Sequence, residues 1–140
     1  MGKTKPKPYA GGKWTLAKMR SFVTSALRRA QWPCKYEAIR KAFVKSGINP
    51  KTGRMCKLYE CSQCGNLFPQ KDVSVDHVDP VVPIKGFNNK NSFLEYDWNN
   101  YIRRLFVEVD GLSVLCKPCH RAKTLDEKAQ RAASKKNLTQ

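Results

Sequence analysis

The chain has 140 residues, room for one domain of ordinary size and a tail. Lys and Arg outnumber Asp and Glu by 27 to 11, and the formal net charge of +16 exceeds what solubility asks for and points to a polyanion such as nucleic acid or to an acidic surface. No apolar run approaches the ~18–20 residues of a membrane span, and MGKTKPKPYAGGK lacks the apolar centre of a secretory signal, so a soluble, intracellular protein with no membrane partner is expected.

Along the chain, residues 1–13 mix Lys with Pro and Gly, bury little, and are expected to form a disordered basic arm. From Trp14 to Ala30, Leu16, Met19, Val23, Leu27 and Ala30 recur at helical spacing, with Arg20, Arg28 and Arg29 largely off that stripe. Trp32-Pro33 interrupts the pattern; Tyr36, Ile39, Phe43 and Val44 then predict a second helix that Gly47 ends. Residues 14–55 thus read as a basic helical segment closed by a turn at Asn49-Pro50-Lys51-Thr52-Gly53. The charge supports this division: residues 1–56 carry 14 basic and 1 acidic side chain, residues 57–110 carry 6 and 8, and residues 111–140 carry 7 and 2. Basic flanks can track a phosphate backbone while carboxylates between them hold a divalent cation, whereas a uniformly basic coat would suggest binding alone.

The hydrophobic share of 41% supports only a modest core, and domains of this size often add a metal cross-link. Four of the six cysteines form two pairs of one spacing, Cys61 and Cys64 in ECSQCG and Cys116 and Cys119 in LCKPCH. Two intervening residues let both thiolates of a pair reach one ion at ~2.3 Å, and Gly65 allows the tight turn behind the first pair. The expected cofactor is one structural Zn²⁺ in a closed Cys₄ site; a redox CxxC or two unrelated pairs explain less, because neither motif sits in a thioredoxin-like pattern. Cys34 and Cys56 are left as free thiols.

Between the pairs, Val73, Val75 and Val78 alternate around VSVDHVDP and predict a strand that runs into Pro80. Asp97 is a natural N-cap, with Trp98, Ile102, Leu105 and Phe106 as the core face of a short helix. Leu112, Val114 and Leu115 suggest a second strand, and Pro118 opens a last helix running to about Ala132, leaving 135–140 as a tail. The two histidines, His77 and His120, stand at the end of the first of these strands and directly after the last paired cysteine. A lone histidine is more often packed or exposed than catalytic; two in these contexts shift the balance.

CSQC, VDHVDP and LCKPCHRAKT, in this order, resemble the HNH endonuclease family with a four-cysteine zinc site, over about residues 56–125. DWNNYIRRLF and WPCKYEAIRKAF are similar to segments of such enzymes encoded by tailed bacteriophages. The resemblance implies an α+β fold in which a basic helical pair precedes a ββα-metal core at 56–134, with DNA as substrate, one strand nicked per event and phage packaging proteins as possible partners. It implies His77 as general base, since an imidazole of ordinary pKa ~6.5 accepts a proton near neutrality, and Asp76 and His120 as ligands of one catalytic divalent cation. Mg²⁺ or Mn²⁺ suits the oxygen donor, and the imidazole also admits Ni²⁺, Co²⁺ or Zn²⁺. Lys123, one helical turn beyond His120, and Arg28 and Arg29 are the candidate DNA contacts; no small-molecule cofactor is expected, and the sequence selects no oligomeric state.

Two features strain the resemblance. Adjacent residues of a regular strand point to opposite faces, so for Asp76 and His77 to face one ion the strand has to bend early, with Asp79 as partner or turn residue. The family's middle Asn falls at Gly111 here, leaving Asp110, Asn99 or Asn100 as expected substitutes. The rival reading is a zinc-ribbon-like nucleic-acid-binding protein without catalysis, which explains the cysteines and the charge but not Asp76, His77 and His120.

Overall fold

A computed structural model describes residues 2–138 as a mixed α+β fold with one three-stranded sheet, one two-stranded sheet and four α-helices. Helix α1 (Leu16–Ala30) starts where the Thr15 hydroxyl accepts from the Lys18 amide at 3.2 Å, and it ends in Arg28 and Arg29, whose charges suit the negative end of the helix dipole. Leu16, Met19, Val23 and Leu27 are its half-buried stripe, as their spacing predicts. The arm is less free than its composition suggests. Tyr9 and Trp14 form an antiparallel bridge, the Tyr9 ring lies 5.7 Å from that of Phe93, and Trp14 packs on Phe22. Met1 lies outside the described residues.

Gln31 is both the C-cap of α1 and the N-cap of α2 (Trp32–Lys41). The second helix stops before Phe43, which corrects the expectation that it continues to Gly47. Phe43–Ile48 is strand β1, antiparallel to β2 (Met55–Glu60), and β3 (Leu67–Pro69) pairs with the other edge of β2. Phe43, Val44 and Ile48 are aromatic or β-branched and fit a pleated surface better than a helix. Gly47 serves the sheet, because a Cβ there would stand 2.6 Å from Leu58 Cδ1. The expected basic helical segment 14–55 is thus a helical pair followed by most of a hairpin.

Strands β4 (Val73–His77) and β5 (Leu112–Cys116) pair antiparallel, with Val75 opposite Val114 and His77 opposite Leu112. Helix α4 (Lys117–Leu138) leaves β5 without an intervening residue, and it is longer than expected: 135–138 of the predicted tail are helical, and 139–140 lie outside the described residues. Ala38 and Ile39 of α2 pack with Tyr59, Val73, Leu112 and Val114, so α2 joins the two sheets through one core.

Residues 78–97 contain no helix or strand, yet they carry a second core in which Val81, Phe87 and Tyr96 pack on Tyr101 and Leu105 of α3 (Trp98–Leu105). The predicted face of α3 is rotated: Tyr101 and Leu105 are inside, whereas Ile102 and Phe106 are largely exposed. A loop without ladder partners has carbonyls to satisfy. Arg104 donates to Pro80 at 2.7 Å and Val81 at 3.0 Å, Arg131 to Val82 at 2.6 Å and Pro83 at 3.0 Å, and Arg20 reaches the Lys90 carbonyl with its guanidinium over the Tyr96 ring. Part of the positive charge is therefore structural. No helix among the described residues is long and apolar enough to cross a membrane.

Candidate functional site

The sulfurs of Cys61, Cys64, Cys116 and Cys119 all lie within 4.8 Å of one another. Cys61 and Cys64 sit in the turn between β2 and β3, where Gly65 takes φ +75° and its amide donates to the Cys61 carbonyl at 2.8 Å. Cys116 ends β5 and Cys119 lies in the first turn of α4. The Ser62 amide donates to the Val114 carbonyl at 2.9 Å, which holds the turn against β5. Four donors at ~2.3 Å around a tetrahedral ion stand about 3.8 Å apart, and Cys64 Sγ and Cys116 Sγ are 3.9 Å apart. The cluster can hold a metal ion such as zinc. Cys34 and Cys56 stand outside it.

Crowding splits the acidities of these thiols. Burial pushes Cys61 up, but the amides of Cys116, Cys64 and Gln63 outweigh it and hold the thiol down at about 6. Sharing a hydrogen with Cys116 pushes Cys119 up to about 12, and burial raises Cys116. A cation that takes all four sulfurs must release the remaining protons, so its binding strengthens as pH rises.

On the other side of β5, Asp76 and His120 meet. The Asp76 carboxylate is oriented by the His77 amide, which donates to Oδ1 at 2.8 Å, and Oδ2 then lies 3.9 Å from His120 Nε2. One divalent ion with ligand distances of ~2.0–2.2 Å can span that gap. Lys123 is turned inward rather than toward solvent. Its ammonium stands 3.0 Å from Asp76 Oδ2 and 3.7 Å from Glu127 Oε1, and it donates to the His77 carbonyl. The carboxylate thus already carries one compensating charge.

The expected bend in β4 is absent, because the strand stays paired through His77. Asp76 faces α4, and the His77 ring faces the opposite way, buried with 7% exposure against α3 and the α1–α2 junction. His77 Nε2 lies 2.8 Å from the Leu105 carbonyl, one of the carbonyls that the end of α3 leaves unpaired. Burial holds the His77 pKa below its ordinary value; the Leu105 hydrogen bond opposes this, the charge of Lys35 adds to it, Asp76 opposes it, and Arg28 adds to it. The neutral ring is therefore the resting form at neutral pH. Among the described residues Nδ1 has no hydrogen-bond partner.

No protein-family model, curated protein or solved structure matches this chain.

Arg28, on the His77 side, donates to the Tyr101 hydroxyl at 3.3 Å, and Arg29 is exposed. Sequence reasoning missed Gln31 and Lys35, although their i, i+4 spacing together with Ala38 and Ile39 marks one face of α2. The expected substitutes for the middle Asn do not reach His77. Asn100 Nδ2 is tied to Asp97 at 2.7 Å, Asn99 is exposed, and Asp110 lies in a short 3₁₀ turn (Val109–Gly111). Gly111 holds β4 by its backbone, its carbonyl accepting from the Val78 amide at 2.9 Å. A Cβ at Gly111 would meet Val107 Cβ at 2.8 Å. Gly111→Asn is accordingly expected to destabilise the fold by about 1–3 kcal/mol through overpacking, read as a lower urea midpoint at unchanged slope.

Proposed function

We propose that this chain is an HNH endonuclease that hydrolyses phosphodiester bonds in DNA, nicking one strand per event, with a structural zinc ion on Cys61, Cys64, Cys116 and Cys119. The observation that carries the reading is the approach of Asp76 Oδ2 to His120 Nε2 at 3.9 Å beside a buried histidine. Asp76 and His120 would hold the catalytic cation, Mg²⁺ or Mn²⁺ by preference, with Ni²⁺, Co²⁺ or Zn²⁺ admitted by the imidazole. When bound, that ion would stabilise the charge that builds on the phosphoryl group and the departing 3′ oxygen. Asp76 and His77 face opposite sides of β4, so this reading requires a scissile phosphate to reach across the strand end, its leaving side toward Asp76 and His120 and its attacked side toward His77. There His77 takes a proton from the attacking water at Nδ1. Arg28 and Lys35 flank the same side and attract the DNA backbone, as does exposed Arg29. The resemblance of DWNNYIRRLF and WPCKYEAIRKAF extends the proposal to a phage-encoded enzyme acting with packaging proteins in a bacterial cytoplasm.

One observation favours a zinc-ribbon-like nucleic-acid-binding protein without catalysis: Lys123, 3.0 Å from Asp76, neutralises the carboxylate without a second ion. Supercoiled plasmid incubated with the purified protein separates the readings. Relaxed circles are expected in Mg²⁺ or Mn²⁺ and not with chelator, and Asp76→Asn is expected to slow their formation roughly a hundredfold or more. Binding without nicking in either metal supports the rival.

A further inference from the structure

We infer that Gln31, at the junction of α1 and α2, is a positioning residue whose side-chain carbonyl accepts a hydrogen bond from His77 and, together with the Leu105 carbonyl, fixes which ring nitrogen is left as the base. The inference rests on the reading of His77 as general base. Its starting point is the Leu105 carbonyl, 2.8 Å from His77 Nε2. A carbonyl has only lone pairs to offer, so Nε2 carries the proton and the neutral ring keeps its free pair on Nδ1. Gln31 Nε2 lies 3.0 Å from the same His77 Nε2. Two N–H groups cannot satisfy each other at that distance.

Gln31 is itself enclosed, with 1% exposure, and its Oε1 is sealed from solvent without a hydrogen-bond partner, so one end of the amide is unpartnered in either orientation and the contact with His77 decides between them. Oxygen and nitrogen of a primary amide have nearly the same shape, so exchanging them keeps the packing and brings the oxygen to His77. The Nε2 proton is then shared between two acceptors, one on α3 and one on the α1–α2 junction. Two fixed acceptors hold the imidazole against rotation and exclude the tautomer protonated on Nδ1, which has no free pair at Nδ1 to take a proton from water. This gives the N-terminal helical pair a chemical task. It also supplies from another element the bracing that a side chain at Gly111 is sterically denied.

The chain contains only two histidines, so nitrogen-resolved NMR of the zinc-loaded protein reads the His77 tautomer directly. The wild type is expected to carry its proton on Nε2. Gln31→Leu, which leaves the Leu105 carbonyl as the one acceptor, is expected to admit a measurable share of the Nδ1-protonated tautomer and to lower the kcat for plasmid nicking roughly tenfold or more at unchanged KM. Gln31→Glu, which offers only acceptors, restores the single tautomer and most of the rate. A wild-type ring protonated on Nδ1, or a Gln31→Leu variant with unaltered tautomer and kcat, overturns the inference. If the tautomer responds as stated and the wild type nicks no DNA, the hydrogen bond stands and the nuclease reading falls. A circular dichroism spectrum of Gln31→Leu matching the wild type separates positioning from misfolding, and an unfolded variant at this position counts for a merely structural role.

Discussion

Cys61→Ser is expected to abolish metal binding by the four-cysteine cluster and unfold the core around β4, β5 and α4 rather than weaken it locally. Cys61 has 0% exposure, and backbone amides hold its thiol down at about 6 against the effect of burial, so it offers a thiolate to an ion near neutral pH. A structural zinc site contributes an apparent ~10–16 kcal/mol, as much as or more than the ~5–15 kcal/mol by which ordinary domains are stable. Native mass spectrometry counts the ion, and far-ultraviolet circular dichroism follows the fold. Cys56→Ser, outside the cluster, is the control and is expected to keep both. A Cys61→Ser protein that melts like the wild type without retaining metal would remove the ion from the scaffold.

The second large effect is expected at His77. His77→Gln preserves a donor for the Leu105 carbonyl but provides no base, so nicking is expected to fall by about 10²–10⁴ while DNA binding stays constant. The pH profile gives an independent reading. Burial, with help from Lys35 and Arg28, lowers the His77 pKa against the Leu105 hydrogen bond and Asp76. The ring then stays neutral to lower pH than a free histidine, so the rate is flat through neutrality and falls only as the solution is acidified below ~6.5. A rate already falling above that pH identifies a base with a raised pKa and excludes His77.

How much of this was legible in the sequence depended on the range of the forces involved. The cysteine pairs were legible because a metal site writes its spacing into the chain, and Asp97 was legible because an N-cap acts within three residues, its carboxylate meeting the Asn100 amide at 3.2 Å. Phe43 and Val44 misled: spaced from Tyr36 and Ile39 they fit a helix, and only pairing with β2 selects the strand. Gln31 is separated from His77 by 46 residues, and no local pattern announces that a glutamine between two helices will be buried against it. The roles of Arg20, Arg104 and Arg131 were hidden for the same reason, because the carbonyls they satisfy belong to a loop whose path is set by tertiary packing. The turning of β4 was anticipated from a chemical need; the pairing of His77 with Leu112 keeps the strand regular, and the two side chains divide between its faces.

The direct passage of β5 into α4 makes the chain between Cys116 and His120 a rigid crank. Each residue of an α-helix advances the side-chain direction by ~100°. One residue inserted after Cys116 would therefore swing His120 about a quarter turn from Asp76 and carry Cys119 out of reach of its three companions. The spacing of a single helical turn keeps Cys119 with its companions and His120 toward Asp76, so the segment can tolerate changes of side chain far more readily than changes of length.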